Sequence, residues 1–240
     1  MHTDLYSKGQ YKKKNHSYHV EDSEFKWKIF KNILIKSNFI FNDIESVVEV
    51  GCGAGQVLAN AKSSKIFNPT CKFAGYDINP DAIDLAKKID KELNFFNSDY
   101  LEIKNGRDDL ILSADVFEHV ENTYDFLSKL RAKGNFFLFN IPLEISFLSM
   151  IRKKNIFEDS YQKVGHLHFY NKRTALLTLK NCGFKIIKFE FAKDRLFEFK
   201  KKKNLKQLLI LFPQYILEKL SLDLSSSLFG GYSLVVLAKK

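Results

Sequence analysis

The nine residues Val47-Val48-Glu49-Val50-Gly51-Cys52-Gly53-Ala54-Gly55 constrain the fold more than any other stretch of the chain. Val47 to Val50 form an apolar run broken by one acid, the mark of a short buried strand. Three glycines at alternate positions follow, and then QVLANAKSSK, which has helical character. Strand, glycine loop and helix in that order present backbone N–H groups and the positive end of a helix to a ligand. Glycine serves there because a Cβ would block the tight turn and the close approach of the backbone. The same residues also suit a plain strand–helix turn, so the rest of the chain must decide. The dinucleotide fingerprint G-x-G-x-x-G is not met, because its third glycine would fall on Gln56.

Further elements follow at regular intervals. Cys71 to Asp77 reads as a second strand, and Asp77 lies 26 residues after Gly51. An acid at the end of the second strand of a βαβ unit accepts hydrogen bonds from ribose hydroxyls. Asn79-Pro80-Asp81 opens a helix with proline in its first turn. Leu93 to Phe96 is a third strand, followed by Asn97-Ser98-Asp99-Tyr100. Asp109 to Ser113 is a fourth, followed by Ala114-Asp115-Val116-Phe117-Glu118-His119-Val120. A helix over 122–133 leads to a fifth strand, 136–142, which Pro142 should end. Helix 143–154, a polar loop 155–170 carrying His166 and His168, helix 171–181, strand 184–192 and a final strand 232–238 complete the chain. Strands alternating with helices predict an α/β fold with a parallel sheet.

The run E-x-G-x-G-x-G from Glu49 to Gly55 resembles motif I of the class I S-adenosylmethionine (SAM) methyltransferases. Asp115-Val116-Phe117-Glu118-His119 resembles motif IV of their small-molecule branch. The resemblance spans roughly 45–192 and 232–240. It implies a doubly wound, seven-stranded, mainly parallel sheet with strand order 3-2-1-4-5-7-6. This Rossmann-like methyltransferase fold would carry an N-terminal cover helix and a helical insertion before the last strand. SAM is the implied cofactor. Gly51, Gly53 and Gly55 would approach its methionine end, with Cys52 as a small filler and Glu49 bracing the loop. Asp77 would hold the ribose, Ile78 would pack on the adenine, Asp99 would meet the adenine amino group and Tyr100 would flank the base. Asp115 is expected at the cofactor edge as well.

Four regions are expected: an arm and cover helix (1–42), a SAM-binding core (43–192), a basic helical insertion (193–231) and the last core strand (232–240). The arm holds Lys12, Lys13 and Lys14, then Tyr18-His19-Val20-Glu21-Asp22. Asp22 or Ser23 can cap a helix reaching Ser37, with Phe25, Ile29, Phe30, Ile33 and Leu34 at helical spacing. In similar methyltransferases such a helix covers cofactor and substrate; a plain packing helix is the other reading. In the insertion, Lys200 to Lys203 precede Leu205, Leu208, Leu209, Phe212, Ile216 and Leu220, which share one helical face. Pro213 should kink or divide that helix. The apolar face is expected to pack on the domain or on a second subunit; peripheral membrane contact through 200–222 is the alternative.

A net charge of +10 suits a phosphorylated small-molecule substrate or a nucleic acid, and equally a solvated lysine-rich surface. No N-P-P-Y-type run follows the fourth strand and no separate RNA-binding module is visible, so nucleic acid is the lesser expectation. Cys52, Cys71 and Cys182 are isolated, which suggests neither a zinc ribbon nor a disulfide framework and fits the cytoplasm. The first residues contain no apolar signal core, and no apolar run approaches the roughly 20 residues of a membrane span.

Methyl transfer from a sulfonium is an in-line displacement, so the protein must align the reactants and remove the acceptor's proton. His119, His166 and His168 are the candidate bases, with Glu118 as an orienting group. Asp115, Glu118, His119 and one of His166 or His168, His166 first, also form an oxygen and nitrogen set that could hold a divalent metal. That set is similar to the E-x-x-E-H arrangement of metal-dependent small-RNA 2′-O-methyltransferases and ubiquinone-pathway O-methyltransferases, with Asp115 in place of the first Glu. The expected function is O-methylation of a small polar acceptor, a sugar, nucleotide-linked or surface-polysaccharide precursor. RNA 2′-O-methylation and a non-catalytic SAM-binding subunit are the alternatives.

Overall fold

The computed structural model describes residues 22–103, 106–152, 155–202 and 208–240. The basic arm, Tyr18 to Glu21, Lys154, Lys203 and Leu205 lie outside them. The chain runs through α1 (Ser23–Lys36), β1 (Ser46–Val50), α2 (Gln56–Ser63), β2 (Lys72–Asp77), α3 (Pro80–Ile89) and β3 (Asn94–Asn97). It continues through β4 (Asp108–Ala114), α4 (Thr123–Ala132), β5 (Gly134–Leu143), α5 (Phe147–Ile151), α6 (Ile156–Val164) and α7 (Lys172–Asn181). The remaining elements are β6 (Lys185–Ala192), α8 (Asp194–Lys202), α9 (Leu208–Leu220), α10 (Leu222–Phe229) and β7 (Tyr232–Lys239).

All seven strands join one sheet in the order β3-β2-β1-β4-β5-β7-β6, as the resemblance implied. Pairings from β3 to β5 are parallel, and β7 runs antiparallel between β5 and β6. Helices cover both faces, so the central strands are mostly apolar, with Glu49, Ser113 and Asn140 as buried polar exceptions. Alternation along β4 shows the division. Leu110 and Leu112 join the core beneath α1, α2 and α3, where Phe30, Ile33, Leu34, Leu58 and Ile83 are buried. Ile111 points into the opposite core with Leu127, Leu130, Phe137, Phe139 and Leu179. The order reverses between β1 and β4, which opens the crevice at their carboxyl ends where such sheets bind ligands.

Three local expectations need correction. Pro142 does not end β5, which continues to Leu143. Pairing with β4 stops at Asn140, whereas pairing with β7 runs on to Leu143. Asn140 directs its carbonyl to Asp115 N on the β4 side, and strand alternation puts the Pro142 nitrogen on that side too. Since β4 no longer runs there, the missing N–H breaks no ladder. Next, the expected helix 143–154 shrinks to α5, and the expected loop 155–170 contains α6. Asn155 caps α6 by accepting from Glu158 N, and Gly165 ends it in the left-handed conformation. Both signals are readable, but the segment's polarity hid its period. Finally, the described residues of the insertion form three helices, and α9 continues through Pro213 without dividing. Its apolar stripe faces outward rather than onto the domain: Leu209, Phe212, Ile216 and Leu220 are all exposed.

Candidate active site

The glycine loop turns because all three of its glycines take positive φ: +69° at Gly51, +51° at Gly53 and +74° at Gly55. Gly51 N and Cys52 N both donate to Tyr76 O, at 2.8 and 3.0 Å, which ties the loop to β2. Gly53 N donates to Asp77 Oδ2 at 2.8 Å, and Asn79 N donates to Oδ1 at 2.8 Å. A Cβ on Gly53 would meet nothing within 4 Å, so the loop presents bare backbone to open space there. Beneath it, Glu49 accepts from Leu58 N at 3.0 Å and so braces the first turn of α2. Burial pushes the Glu49 carboxyl up to about 8, against the pull of that hydrogen bond and of Lys26. Cys52 is buried and burial pushes its thiol up, so it serves as the expected filler and not as a nucleophile.

A cavity of about 670 Å³ opens above the loop, in the size range of small-molecule sites. Asp77, Ile78, Asp99 and Tyr100 line it. Ile78 holds its apolar side chain half-exposed there. Asp99 both lines the cavity and caps a turn, accepting from Leu101 N at 2.8 Å. The Tyr100 hydroxyl points away to Asp108, donating at 2.5 Å, so only its ring is offered to a ligand.

His119 also lines the cavity, and it shares the 3₁₀ turn Phe117–His119 after β4 with the buried Glu118. The Glu118 carbonyl accepts from Leu167 N at 2.8 Å and from His168 N at 3.0 Å. Those two bonds bring His166 beside His119, with ring centroids 4.7 Å apart. His119 Nδ1 lies 3.1 Å from Gly165 O; a carbonyl only accepts, so Nδ1 carries the proton and Nε2 is the basic nitrogen. His166 Nδ1 donates to Glu144 Oε2 at 2.7 Å, which likewise leaves Nε2 basic. His119 and His166 line the cavity. His168 does not; its Nε2 donates to Val120 O at 2.9 Å, and it acts as a brace.

Glu118 is fully buried, and neither carboxylate oxygen has a hydrogen-bond partner among the described residues. Burial first, and then Asp115, push its carboxyl far above the usual range. Such a group needs a proton or a cation. Glu118, His119 and His166 each offer a ligand atom within 4.8 Å of the others. Three ligand atoms held about 2.1 Å from one ion lie at most about 3.6 Å apart, so the trio would have to close by about 1 Å to seat a divalent ion. Asp115 lies outside that trio. Its backbone is left-handed, φ +55°, and its carboxylate accepts from Asn140 Nδ2 at 2.6 Å and Lys26 Nζ at 2.5 Å.

Residues 28–188 match the model of a methyltransferase-domain family. The chain belongs to the class I SAM-dependent methyltransferases. Among curated relatives, the ubiquinone biosynthesis O-methyltransferase of Rickettsia bellii is 30% identical over 132 residues, 50% of this chain and 54% of that protein. The enzyme of the same name from Rickettsia typhi is 32% identical over 101 residues, 41% of each chain. The chain thus spans about half the length, or less, of the curated relatives it matches. Among solved structures, a SAM-dependent methyltransferase from Archaeoglobus fulgidus aligns with TM-score 0.60 and 21% identity, covering 93% of this chain and all of the other. A magnesium protoporphyrin IX methyltransferase from Synechocystis, solved with S-adenosylhomocysteine, gives 0.57 and 14%, covering 90% and 82%. At those identities the two structures speak for the fold alone.

In this methyltransferase the cavity also takes residues that sequence reasoning missed. Lys26 and Phe25 come from α1, and Asp194 and Phe197 from α8. Phe25 and Phe197 stack at 4.4 Å and 16°, roofing the cavity from both sides. Burial lowers the Lys26 ammonium, but Asp115 more than restores it, so Lys26 stays charged. Asp194 is pushed up to about 7 by burial and accepts from Ser233 Oγ at 2.6 Å. Asn140 had one readable signal, its place near the carboxyl end of a parallel strand. Glu144 and Phe197 had none, because their partners lie 22 and 172 residues away.

Proposed function

We propose that this methyltransferase methylates a hydroxyl oxygen on a small, neutral acceptor with an apolar body. The observation that carries the proposal is the Glu118–His119–His166 cluster, whose two histidines line the same cavity as Asp77 and Asp99. Bound SAM supplies a methyl on a sulfonium, an electrophile that needs no further activation. The loop backbone and the N-terminus of α2 face its carboxylate end. Asp77 accepts from the ribose hydroxyls, Asp99 from the adenine amino group, and Ile78 packs against the base. His119 Nε2 takes the acceptor's hydroxyl proton, and the Nδ1–Gly165 bond holds the ring in the required tautomer. Glu118 lies 4.0 Å from that nitrogen and packs behind the ring. His166 completes the wall beside it. The same trio fits a divalent cation, which would supply Lewis-acid activation of the acceptor hydroxyl.

Two observations support the acceptor class. Curated relatives carry O-methyltransferase names. The cavity's described lining also bears many carboxylates, among them Asp22, Asp115, Asp194 and Glu198, against one lysine, Lys26, already paired with Asp115. The one lysine of that described lining is already committed to Asp115, which favours a neutral phenol or alcohol over the expected polysaccharide precursor. The three free cysteines support placement in the cytoplasm.

The test is release of S-adenosylhomocysteine with panels of neutral phenols, sugar phosphates and RNA. Turnover confined to phenols supports the proposal, and turnover confined to either phosphorylated panel refutes it. Tight SAM binding with no turnover on any panel would favour the non-catalytic subunit. Chelator followed by added Mg²⁺ or Mn²⁺ separates the histidine base from the metal reading.

A further inference from the structure

The helix α9 is built inside out. An amphipathic helix on a water-soluble protein turns its apolar side to the core. Here the polar side faces inward. Gln214 is 2% exposed and accepts from Arg195 Nη1 at 2.5 Å. Glu218 accepts from the Tyr232 hydroxyl at 2.6 Å and from Lys193. Ser225 of α10 closes the group at 2.7 Å from the same hydroxyl. These bonds fix the rotation of α9, and the apolar stripe is left outside: Leu209 is 82% exposed, Phe212 70%, Ile216 51% and Leu220 78%. The neighbouring helices extend it. α10 packs on α9 and α5 packs on α10, and they add exposed Leu224 and Leu228, and Phe147, Met150 and Ile151. Single exposed apolar residues are ordinary, but this many on three helices packed in succession mark an interaction surface.

We propose that α9, with α5 and α10, seats the protein on an anionic lipid surface. Charge selects that occupant. Residues 193–220 hold eight lysines and arginines against three acids, and of the eight Lys193 and Arg195 are taken up by the inward contacts with Glu218 and Gln214. Lys200, Lys219 and Arg152 are exposed on or beside these helices. A second copy meeting this face across a two-fold axis would set like charge against like. An anionic bilayer offers negative headgroups and an apolar interior together, which is what an in-plane amphipathic helix requires. No described helix is long and apolar enough to cross a membrane, so the contact is peripheral.

The test is flotation of the full-length protein with phosphatidylcholine vesicles, with and without phosphatidylglycerol. The expected result is co-flotation with the anionic vesicles, weakened by salt and by omission of phosphatidylglycerol. The combined variant Leu209→Gln, Phe212→Gln, Ile216→Gln should lose at least about tenfold in partitioning. Its melting temperature and SAM affinity should hold, because all three side chains already face water. Wild-type protein that stays in solution with anionic vesicles overturns the proposal, as does a variant that floats equally well. A wild-type dimer that the variant converts to monomer also overturns it and assigns the face to a second copy.

Discussion

Gly51 and Gly53 share a left-handed backbone, yet alanine should affect them differently. The shared part is the αL penalty, about 1–2 kcal/mol for a residue with a Cβ. At Gly53 nothing is added, because the new Cβ meets no atom within 4 Å. At Gly51 the Cβ would lie 2.5 Å from Val116 Cγ2 and 3.3 Å from Cγ1. Forcing such a contact into packed structure costs about 1–3 kcal/mol more, so Gly51→Ala should lose about 2–5 kcal/mol in all. Val116→Ala removes both offending methyls. In a double-mutant cycle, positions 51 and 116 should couple by about 1–3 kcal/mol and positions 53 and 116 by less than about 0.5. Urea unfolding without SAM measures these terms. Calorimetric titration then adds the functional half: Gly53→Ala should keep most of its stability but lose SAM affinity at least tenfold, roughly 1.4 kcal/mol. Equal losses for the two glycines, or rescue of both by Val116→Ala, would refute the packing argument. Unchanged SAM affinity in Gly53→Ala would refute the placement of cofactor over the loop.

The remaining predictions concern single groups. Asp77→Ala should weaken SAM binding about tenfold to a hundredfold and also lower stability, since it strips the acceptor from Gly53 N and Asn79 N. His119→Gln should retain SAM binding while turnover falls by about 10²–10⁴, and full turnover would eliminate it as the base. Asp194 is held near 7 when folded against 3.8 as its ordinary value. The folded state therefore keeps a proton that the unfolded chain gives up, and stability falls as pH rises from about 4 to about 7. Asp194→Asn should flatten that slope and stabilise the protein at neutral pH by at most about 4 kcal/mol, read from denaturant midpoints across the pH range.

How much of the molecule was legible depended on the range of each interaction. β1, its loop and α2 are written in consecutive residues, and Asn79-Pro80 announces the start of α3 through a local cap. The loop, Asp77 and Asp99 could therefore be expected together from sequence alone, and the structure brings them to one cavity. The grouping of the histidines could not. Three histidines were candidates, and His166 joins His119 only because Leu167 N and His168 N bond to the Glu118 carbonyl, far away in sequence. The Lys26–Asp115 pair spans 89 residues and carries no local signal. For α9 the apolar period was visible, but the side that faces inward was decided by Arg195 and Tyr232, which lie on other elements.

The position of β7 bears on how the protein is made. This strand lies between β5 and β6 yet is translated after both, and after the three helices of the insertion. Until it emerges, β5 and β6 cannot be joined, and each offers an unpaired backbone edge to any other chain nearby. Residues Tyr232 to Ala238 are all buried, so the missing strand also leaves both cores open along its length. A ribosome stalled before residue 232 would hold a sheet with β6 cut off from the rest, a natural client for a chaperone.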